Sequence, residues 1–410
     1  MIDRAHCVAR DRSDPLAHCR ERFHIPEGLL YLDGNSLGAM PKAAPARLRQ
    51  VIEEEWGEGL IRSWLDAGWW DMPRRLGAKI APLIGAGADE VVATDTTSVN
   101  LFKLLIAALA LRPDRRVILS DPGNFPTDLY IAQGVQGLLG RHELRLVPAE
   151  RILDAIDESV AVVTLTHVDF KSAQIHDMKG ITAAAHRAGA LTLWDLSHSA
   201  GAVPVDLEGA GADLAVGCGY KYLNGGPGAP AYLYVRRALQ DSIRPPLSGW
   251  WAHAQPFAFD IEFTAVAGIG RNLCGTQSAL AMAALEVALD IWRDVDMTAV
   301  RAKSVALTEL FIALVEQDCA GFGVAVASPR DPAQRGSHVS IRHAEGYAVA
   351  QALRARGVIG DFRSPDLMRF GFTPLYLSYA EVFDAAAHLA EVLRSGAWRE
   401  MKTDAPARVT

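Results

Sequence analysis

The side chains of Asp195 and Lys221 are the pair in this sequence whose types and positions favour a specific chemistry. Asp195 follows an apolar segment and precedes small residues and His198, whereas Lys221 follows the next apolar segment and precedes a cluster of glycines. Burial lowers the pKa of a lysine toward the range in which its neutral amine is a nucleophile. A pyridoxal phosphate site requires such an amine, which bonds to the aldehyde, and a carboxylate that keeps the pyridine nitrogen protonated. The pair therefore predicts this cofactor, which acts as an electron sink.

Each member of the pair also has an ordinary interpretation. Asp195 could cap a helix, with His198 on the surface, and Lys221 could be a solvated loop lysine. The glycines at 225, 226 and 228 favour the cofactor site, because they indicate a close backbone approach to a bulky group. Asp195 lies at the end of one predicted strand and Lys221 follows the next, and the carboxyl ends of strands are where open α/β sheets bind ligands.

The phosphate of such a cofactor needs hydroxyls and backbone N–H groups at a helix N-terminus. Thr96, Thr97 and Ser98 follow a predicted strand and open a predicted helix, so they are candidates for this role. On their own these residues would be an ordinary helix N-cap.

The elements that must position these side chains follow from hydrophobic patterning, which is typical of a parallel α/β sheet between about residues 90 and 235. Strands are predicted at 91–94, 116–120, 144–147, 160–166, 190–196, 213–217 and 231–235. Helices are predicted at 99–111, 127–139, 151–157 and 178–188, the last ending at Gly189. After about residue 275 we predict helices at 278–293 and 300–317 and strands at 337–341 and 367–372. The pattern predicts an α/β protein with a large, mostly parallel sheet and a smaller α/β domain.

The composition excludes several classes of protein. Of 410 residues, 50% are hydrophobic and 22% charged, which allows a sizeable core and argues against disorder. The net charge of −7 gives no electrostatic reason to bind nucleic acid. The five cysteines are scattered without a CxxC, which suggests neither a metal site nor a disulfide framework. No apolar stretch reaches the roughly 20 residues of a membrane span and the N-terminus is charged, so we expect a cytoplasmic protein without a membrane partner.

Six motifs together resemble the kynureninase family, and the resemblance runs nearly end to end. They are residues 31–38 (YLDGNSLG), 125–128 (FPTD), 195–198 (DLSH), 220–225 (YKYLNG), 249–253 (GWWAH) and 369–376 (RFGFTPLY). This is a family of fold-type-I pyridoxal phosphate enzymes in the class V aminotransferase superfamily, and the FPTD and GWWAH segments narrow the resemblance to it. The resemblance implies hydrolysis of L-kynurenine to anthranilate and L-alanine, in which water adds to the aryl ketone and the Cβ–Cγ bond breaks.

The resemblance also implies roles for individual residues. Lys221 would hold the cofactor and move the substrate α-proton, Asp195 would face the pyridine nitrogen, and Phe125 would stack on the ring. The remaining cofactor contacts would come from Thr97, Ser98, Asp128, Thr166, His198 and Tyr220. Tyr220 is equally a candidate general acid for the β-carbon and a simple phosphate ligand. Trp250 and Thr276 would reach the phosphate of the neighbouring subunit, which implies a homodimer with shared sites.

The substrate side of the site is implied in the same way. Arg369 would clamp the α-carboxylate with its bidentate fork, and Asn35 and Ser36 would also contact the substrate. Trp64, Gly275 and Thr276 match positions where animal enzymes that act on 3-hydroxykynurenine carry His, Ser and Asn, so we expect a preference for unsubstituted kynurenine. Trp64 could instead be core and Gly275 a turn. The expected domains are an N-terminal segment (1–75) that contributes to the small domain, a large cofactor domain (76–275) and a C-terminal small domain (276–410).

Four other functions share parts of these patterns. An aminotransferase would share the fold, and a cofactor-binding relic that acts as a regulator would be expected to lack Lys221. A serine hydrolase is suggested by the GxSxG pattern at 34–38, but Pro41 and Pro45 interrupt the helix that a nucleophile elbow needs. A cysteine desulfurase would need an exposed, activated cysteine, whereas Cys319 ends a predicted helix without a basic neighbour close in sequence.

Overall fold

The computed structural model describes residues 2–401, and its strands fall into one large sheet and several small ones. The strands are β1 (Phe23–His24), β2 (Leu30–Tyr31), β3 (Met40–Pro41), β4 (Val91–Ala93), β5 (Val117–Ser120), β6 (Glu143–Leu146), β7 (Val160–Thr166), β8 (Leu191–Asp195), β9 (Leu214–Cys218), β10 (Ala231–Val235), β11 (Ala325–Val326), β12 (His338–Arg342), β13 (Val358–Ile359), β14 (Asp361–Arg363) and β15 (Leu367–Gly371).

Helices cover both faces of the large sheet and form much of the C-terminal part. The α-helices are α1 (Arg4–Arg12), α2 (Ala44–Gln50), α3 (Ser63–Asp66), α4 (Met72–Ile80), α5 (Thr97–Ala110), α6 (Pro126–Leu139), α7 (Ile152–Ala155), α8 (Met178–Ala188), α9 (Leu207–Ala210), α10 (Arg237–Gln240), α11 (Ala279–Asp290), α12 (Met297–Asp318), α13 (Gly346–Ala355) and α14 (Tyr379–Ser395). A π-helical segment, Val51–Gly59, continues α2.

The large sheet has seven strands in the order β4-β10-β9-β8-β7-β5-β6. The five strands from β9 to β6 run parallel, whereas β10 is antiparallel to both β9 and β4. Every residue of the central strands β7, β8 and β9 is buried. Alternate residues enter different cores: Leu193 packs with the cluster that includes α5, and Trp194 packs with the cluster on the other face. The α/β prediction with a mostly parallel sheet is confirmed.

The predicted elements agree with the observed ones except at their ends. The strands 160–166 and 231–235 and the helix 178–188 have the predicted bounds. The helix predicted at 99–111 begins earlier, at Thr97, because the Thr96 hydroxyl accepts a hydrogen bond from the Val99 N–H at 3.3 Å and caps it. The helix predicted at 151–157 is wrong in length, since α7 ends at Ala155 and Ile156 is already extended.

The C-terminal part is built on a second, antiparallel sheet in the order β11-β12-β15-β14. The N-terminal segment joins this part, because β2 pairs with β13 and Arg4 forms an ion pair with Asp384 on α14. The predicted division into residues 1–75, 76–275 and 276–410, with the N-terminal segment assigned to the small domain, stays a prediction. Residues 402–410 of the predicted C-terminal domain lie outside the described residues.

In residues 2–401, no helix combines the length and the apolar character that crossing a bilayer requires.

Candidate active site

The carboxyl ends of the central strands meet the N-termini of α5 and α6 around one cavity. Because β7, β8 and β9 are parallel and in register, Thr166 lies beside Asp195, and Asp195 lies beside Val216. The cavity has a volume of about 270 Å³. Its walls are formed by Thr96, Thr97, Ser98, Phe125, Thr127, Asp128, Asp195, Ser197, His198, Tyr220, Lys221, Gly228, Ala229 and Ala231. Most of the residues predicted to hold the cofactor are therefore brought together.

Lys221 projects into this cavity three residues after β9. Its Nζ lies 3.0 Å from His198 Nε2 and 5.6 Å from the centre of the Phe125 ring. His198 is fully enclosed, and burial, followed by the positive charge of Lys221, lowers the pKa of its imidazole well below the usual value. A neutral imidazole can accept a hydrogen bond from the side-chain nitrogen of Lys221. Lys221 is thus held over the face of Phe125.

The carboxyl groups of Asp128 and Asp195 both line the cavity. Asp195 Oδ1 accepts a hydrogen bond from the Ser197 N–H at 2.7 Å, which fixes the carboxyl at the end of β8. Burial raises the pKa of Asp195, against the opposing charge of Lys221. Burial and the nearby charge of Asp195 raise the pKa of Asp128 well above its usual value. The site therefore holds two buried carboxyl groups that form no ion pair with a cation of the described residues.

This arrangement fits a pyridoxal phosphate cofactor. Neither carboxyl oxygen of Asp128 has a hydrogen-bond partner among residues 2–401, although both are buried. An unpaired buried carboxylate is costly, and a protonated pyridine nitrogen would supply the missing charge and donor. On the other side, Thr97 and Ser98 lie in the first turn of α5, where the N–H groups have no intrahelical partner and can hold a phosphate.

Tyr220 and Thr166 complete the predicted pocket in different ways. Tyr220 lines the cavity, and the neighbouring Cys218 and burial both raise the pKa of its phenol, so it keeps its proton at neutral pH. Thr166, the buried last residue of β7, is not a wall of the cavity; its hydroxyl is bonded to the side-chain oxygen of Asn124, one residue before Phe125. Thr166 therefore lies behind the wall that carries Phe125.

Arg369 lies in a second polar cluster, on β15. Its Nε donates to Asp361 Oδ1 at 2.7 Å, and the two residues pair directly across β14 and β15. Ser36 Oγ donates to Asp361 Oδ2 at 2.7 Å and lies 3.3 Å from Arg369 Nη2. Arg369 Nη1 donates to the carbonyl of Phe170, whose ring packs edge-on against Phe125 at 5.0 Å. The arginine predicted to clamp the carboxylate is thus buried and is connected through Phe170 to Phe125, which is predicted to stack on the cofactor ring.

Sequence reasoning missed Asp361, whose partner across the sheet is Arg369. Nothing in the residue types around Asp361 indicates this contact, because it depends on the register of β14 against β15. Asn35, by contrast, was predicted; it is fully buried and both polar atoms of its amide lack a partner within the described residues. Ser36 faces Asp361 and Arg369 rather than a histidine, so the serine-hydrolase alternative has no support.

Trp64, Trp250, Gly275 and Thr276 are not brought to this cavity within one chain. The Trp64 ring contacts Trp69 and Trp251 edge-on, at centroid distances of 5.7 and 5.4 Å. Trp250 is 41% exposed, and Thr276 is also exposed. Trp64, Trp69, Trp70, Trp250 and Trp251 form one continuous aromatic cluster, in which Trp250 is exposed and Trp251 is buried.

Cys319 does not resemble a reactive cysteine. It caps the C-terminus of α12, is buried, and is not a wall of the cavity. Burial raises the pKa of its thiol to about 11, which disfavours the nucleophilic thiolate.

Comparison with known proteins gives three kinds of likeness. Residues 300–389 match the family described as "Kynureninase C-terminal domain". The kynureninase of Burkholderia mallei (strain ATCC 23344) is 55% identical over 417 residues, covering 100% of both chains, and that of Pseudomonas fluorescens is 54% identical over 406 residues, covering 98% of both.

The similar solved structures are more distant in sequence. A cysteine desulfurase from Thermococcus onnurineus NA1 has a TM-score of 0.78 at 19% identity, covering 92% of this chain and 98% of its own. C-DES, solved with glycine linked covalently to its PLP cofactor, has a TM-score of 0.79 at 19% identity, covering 91% of this chain and 99% of its own. At these identities the likeness establishes the fold.

Proposed function

Because this chain belongs to the kynureninase family, we propose that it hydrolyses L-kynurenine to anthranilate and L-alanine, with pyridoxal 5′-phosphate as its cofactor. The observation that carries this proposal is the 55% identity to kynureninases over the full length of both chains. The cavity supports it, because Lys221, Asp195 and Asp128 line a space of about 270 Å³. Both buried carboxyl oxygens of Asp128 lack a hydrogen-bond donor among residues 2–401.

The residues of the cavity have complementary tasks in this reaction. The cofactor, when bound, supplies an electron sink for the electron pair left at the α-carbon. Asp195 and Asp128 hold a positive charge at the pyridine end, and Thr97 and Ser98 hold the phosphate at the first turn of α5. Phe125 provides a flat apolar face, and Thr166 supports it through Asn124.

Proton movement is assigned to Lys221 and Tyr220. Lys221, next to neutral His198, removes the proton from the substrate α-carbon. Water then adds to the γ-carbonyl, the Cβ–Cγ bond breaks to release anthranilate, and the β-carbon takes up a proton to become the methyl group of alanine. Lys221 finally returns a proton to the α-carbon. Tyr220 keeps its proton at neutral pH, so it can donate to the β-carbon; its alternative task is to bind the phosphate alone.

An absorbance scan of the purified protein, taken before and after addition of L-kynurenine, tests cofactor and substrate together. We expect a visible band before addition, its perturbation on addition, and the appearance of anthranilate. A protein without a visible band after incubation with pyridoxal phosphate would contradict the proposal.

Arg369 is proposed to bind the substrate α-carboxylate. Asp361 accepts hydrogen bonds from its Nε and Nη2 and fixes the orientation of the guanidinium, and its Nη1 donates to the carbonyl of Phe170, whose ring contacts Phe125. We expect Arg369→Lys to lower kcat/KM for kynurenine without loss of cofactor, since breaking a bidentate pair costs on the order of 2–5 kcal/mol when a buried charge loses its partner. Steady-state kinetics with kynurenine, and with the amine analogue that lacks the carboxylate, measure the effect.

The analogue should be equally poor with the wild type and the Arg369→Lys variant. Arg363→Lys is the matched control, because Arg363 also pairs with Asp361 but is 33% exposed, and we expect a smaller loss. An unchanged kcat/KM for kynurenine in the Arg369 variant would rule out the clamp.

A homodimer with shared sites is part of the proposal. Trp250 and Thr276, to which the family resemblance assigns the neighbouring subunit's phosphate, are exposed and lie outside the cavity of their own chain. A second copy would cover the aromatic cluster around Trp250 and bring these side chains to its own site. The reaction is expected in the cytoplasm, because the five scattered cysteines suggest no disulfide framework and therefore fit a reducing compartment.

The ring specificity is proposed to favour unsubstituted kynurenine. An indole at 64 and a glycine at 275 offer a ring hydroxyl no matched partner, and an unpaired buried polar group costs about 1–3 kcal/mol. We expect kcat/KM for L-kynurenine to exceed that for 3-hydroxy-L-kynurenine, as measured with both substrates under the same conditions.

A triple variant makes this prediction sharper. A Cβ atom added at Gly275 would have no non-neighbouring atom of its own chain within 4 Å, so serine fits there without strain. We expect Trp64→His, Gly275→Ser and Thr276→Asn together to shift the ratio of kcat/KM toward the hydroxylated substrate. A wild-type ratio at or below one, or a ratio that the triple variant leaves unchanged, would show that these residues do not set specificity.

A further inference from the structure

A buried lysine on α5 lies behind the cofactor cavity and has no task in the reaction described above. Lys103 is completely buried. Its Nζ donates to Asp95 Oδ2 at 2.7 Å and to the carbonyl of Asn272 at 2.6 Å. A buried ammonium is costly unless it is paired and hydrogen-bonded, so this contact needs a reason.

Asp95, the first partner of Lys103, lies next to the helix N-terminus that is proposed to bind the phosphate. Asp95 immediately precedes Thr96, the N-cap of α5, and has a left-handed backbone with φ of 49°. Such a backbone is strained for a residue other than glycine and persists only where its surroundings hold it. Asp95 is held by Lys103, by the Thr94 hydroxyl, which donates at 2.9 Å, and by Gln277. Lys103 thus supports the turn that places Thr97 and Ser98.

Asn272, the second partner of Lys103, begins the segment that contains Gly275 and Thr276. Lys103 bonds to the carbonyl of Asn272, and Gln277 Oε1 accepts the Asp95 N–H at 3.2 Å. Gln277 Nε2 in turn donates to the carbonyl of Gly275 at 3.2 Å. Residues 272–277 are therefore attached at one end to Lys103 on α5 and at the other end to Asp95, in the turn before α5.

We infer that Lys103 is a positioning residue for the cofactor phosphate. It joins the first turn of α5 to residues 272–277, so that the segment that binds the phosphate and the segment proposed to reach the neighbouring site move as one unit. This inference rests on the proposed pyridoxal phosphate function. It adds that the buried ion pair between Lys103 and Asp95 strengthens binding of the cofactor's phosphate and leaves binding of its pyridine ring unchanged.

The chain contains a matched control for an ordinary buried ion pair. Lys303 on α12 is also buried, and its Nζ lies 2.6 Å from Asp14 Oδ2 and 2.6 Å from the carbonyl of Pro374. Lys303 therefore has the same kinds of partner, one carboxylate and one carbonyl, but neither Asp14 nor Pro374 adjoins a wall residue of the cofactor cavity in sequence, whereas Asp95 immediately precedes Thr96. A purely structural role for Lys103 predicts that the two lysines behave alike.

The test is titration of the wild-type apoprotein and of Lys103→Met and Lys303→Met with pyridoxal 5′-phosphate and, separately, with pyridoxal. We expect the Kd for pyridoxal phosphate to rise about tenfold in Lys103→Met, which corresponds to the contribution of about one hydrogen bond. The Kd for pyridoxal should stay at the wild-type value, and Lys303→Met should change neither constant.

Three results would overturn the inference: an unchanged Kd for pyridoxal phosphate in Lys103→Met, an equal rise for both aldehydes, or the same rise in Lys303→Met. If Lys103→Met does not fold, Gln277→Leu keeps the ion pair and removes the bond to Asp95; a rise of about threefold confined to pyridoxal phosphate is expected, and no rise overturns the inference. Failure of the wild-type protein to bind pyridoxal phosphate would contradict the proposed function instead.

Discussion

Replacement of Lys221 by alanine is expected to abolish turnover of L-kynurenine and to remove the covalent link to the cofactor that borohydride fixes. Lys221 is the one lysine that lines the described cavity, and its Nζ lies between His198 and the face of Phe125. Loss of a positioned base alone costs roughly 10²–10⁴-fold, and the variant also loses the covalent attachment, so we expect kcat to fall by at least about a thousandfold. Turnover and peptide mapping after borohydride reduction measure the two effects.

Lys179→Ala is the control for this experiment. Lys179 is exposed in the first turn of α8, away from the cavity walls, so its loss should change neither turnover nor reduction. If peptide mapping of the reduced wild-type protein placed the cofactor on a lysine other than Lys221, the assignment of the site would be wrong.

The second large effect is expected for Asp195→Asn. An amide can still accept the Ser197 N–H bond, but it carries no charge to keep the pyridine nitrogen protonated. Cofactor should remain bound through its phosphate, while exchange of the substrate α-proton should slow by at least about a hundredfold, the lower range for loss of an acid–base function. Proton NMR in deuterated water measures the rate at which the α-proton signal of the substrate is lost.

Asp128 supplies the informative comparison. Its two oxygens are buried without a partner in the described part of the chain, so it is the residue that could replace Asp195 at the pyridine nitrogen. We expect Asp128→Asn to slow exchange less than Asp195→Asn does. Near-normal exchange in Asp195→Asn, with slow exchange in Asp128→Asn, would transfer the role to Asp128.

The large sheet could be predicted from the sequence because strands covered on both faces are continuous apolar runs. This explains why β7 and β10 have their predicted bounds. That the candidate cofactor residues share one cavity was predictable for a related reason: Asp195, Lys221 and Ser98 each lie within a few residues of a strand end, where parallel strands converge.

Contacts between distant segments could not be predicted in this way. Asp361 meets Arg369 through the register of two short strands, and Lys103 meets Asn272 through the packing of α5 against a loop. The helix predicted at 151–157 was too long because its apolar period continues past the point at which the backbone becomes extended at Ile156. Only the family resemblance indicated a role for Trp250 and Thr276, since their residue types alone carry no such signal.

The most direct test of the account is product analysis with purified protein, pyridoxal phosphate and L-kynurenine, in the absence of any keto acid. The account predicts continuous turnover that yields anthranilate and L-alanine in equal amounts. An aminotransferase would stop after one equivalent of substrate until a keto acid is added. Absence of anthranilate, or turnover that depends on a keto acid, would contradict the hydrolysis of kynurenine by this protein.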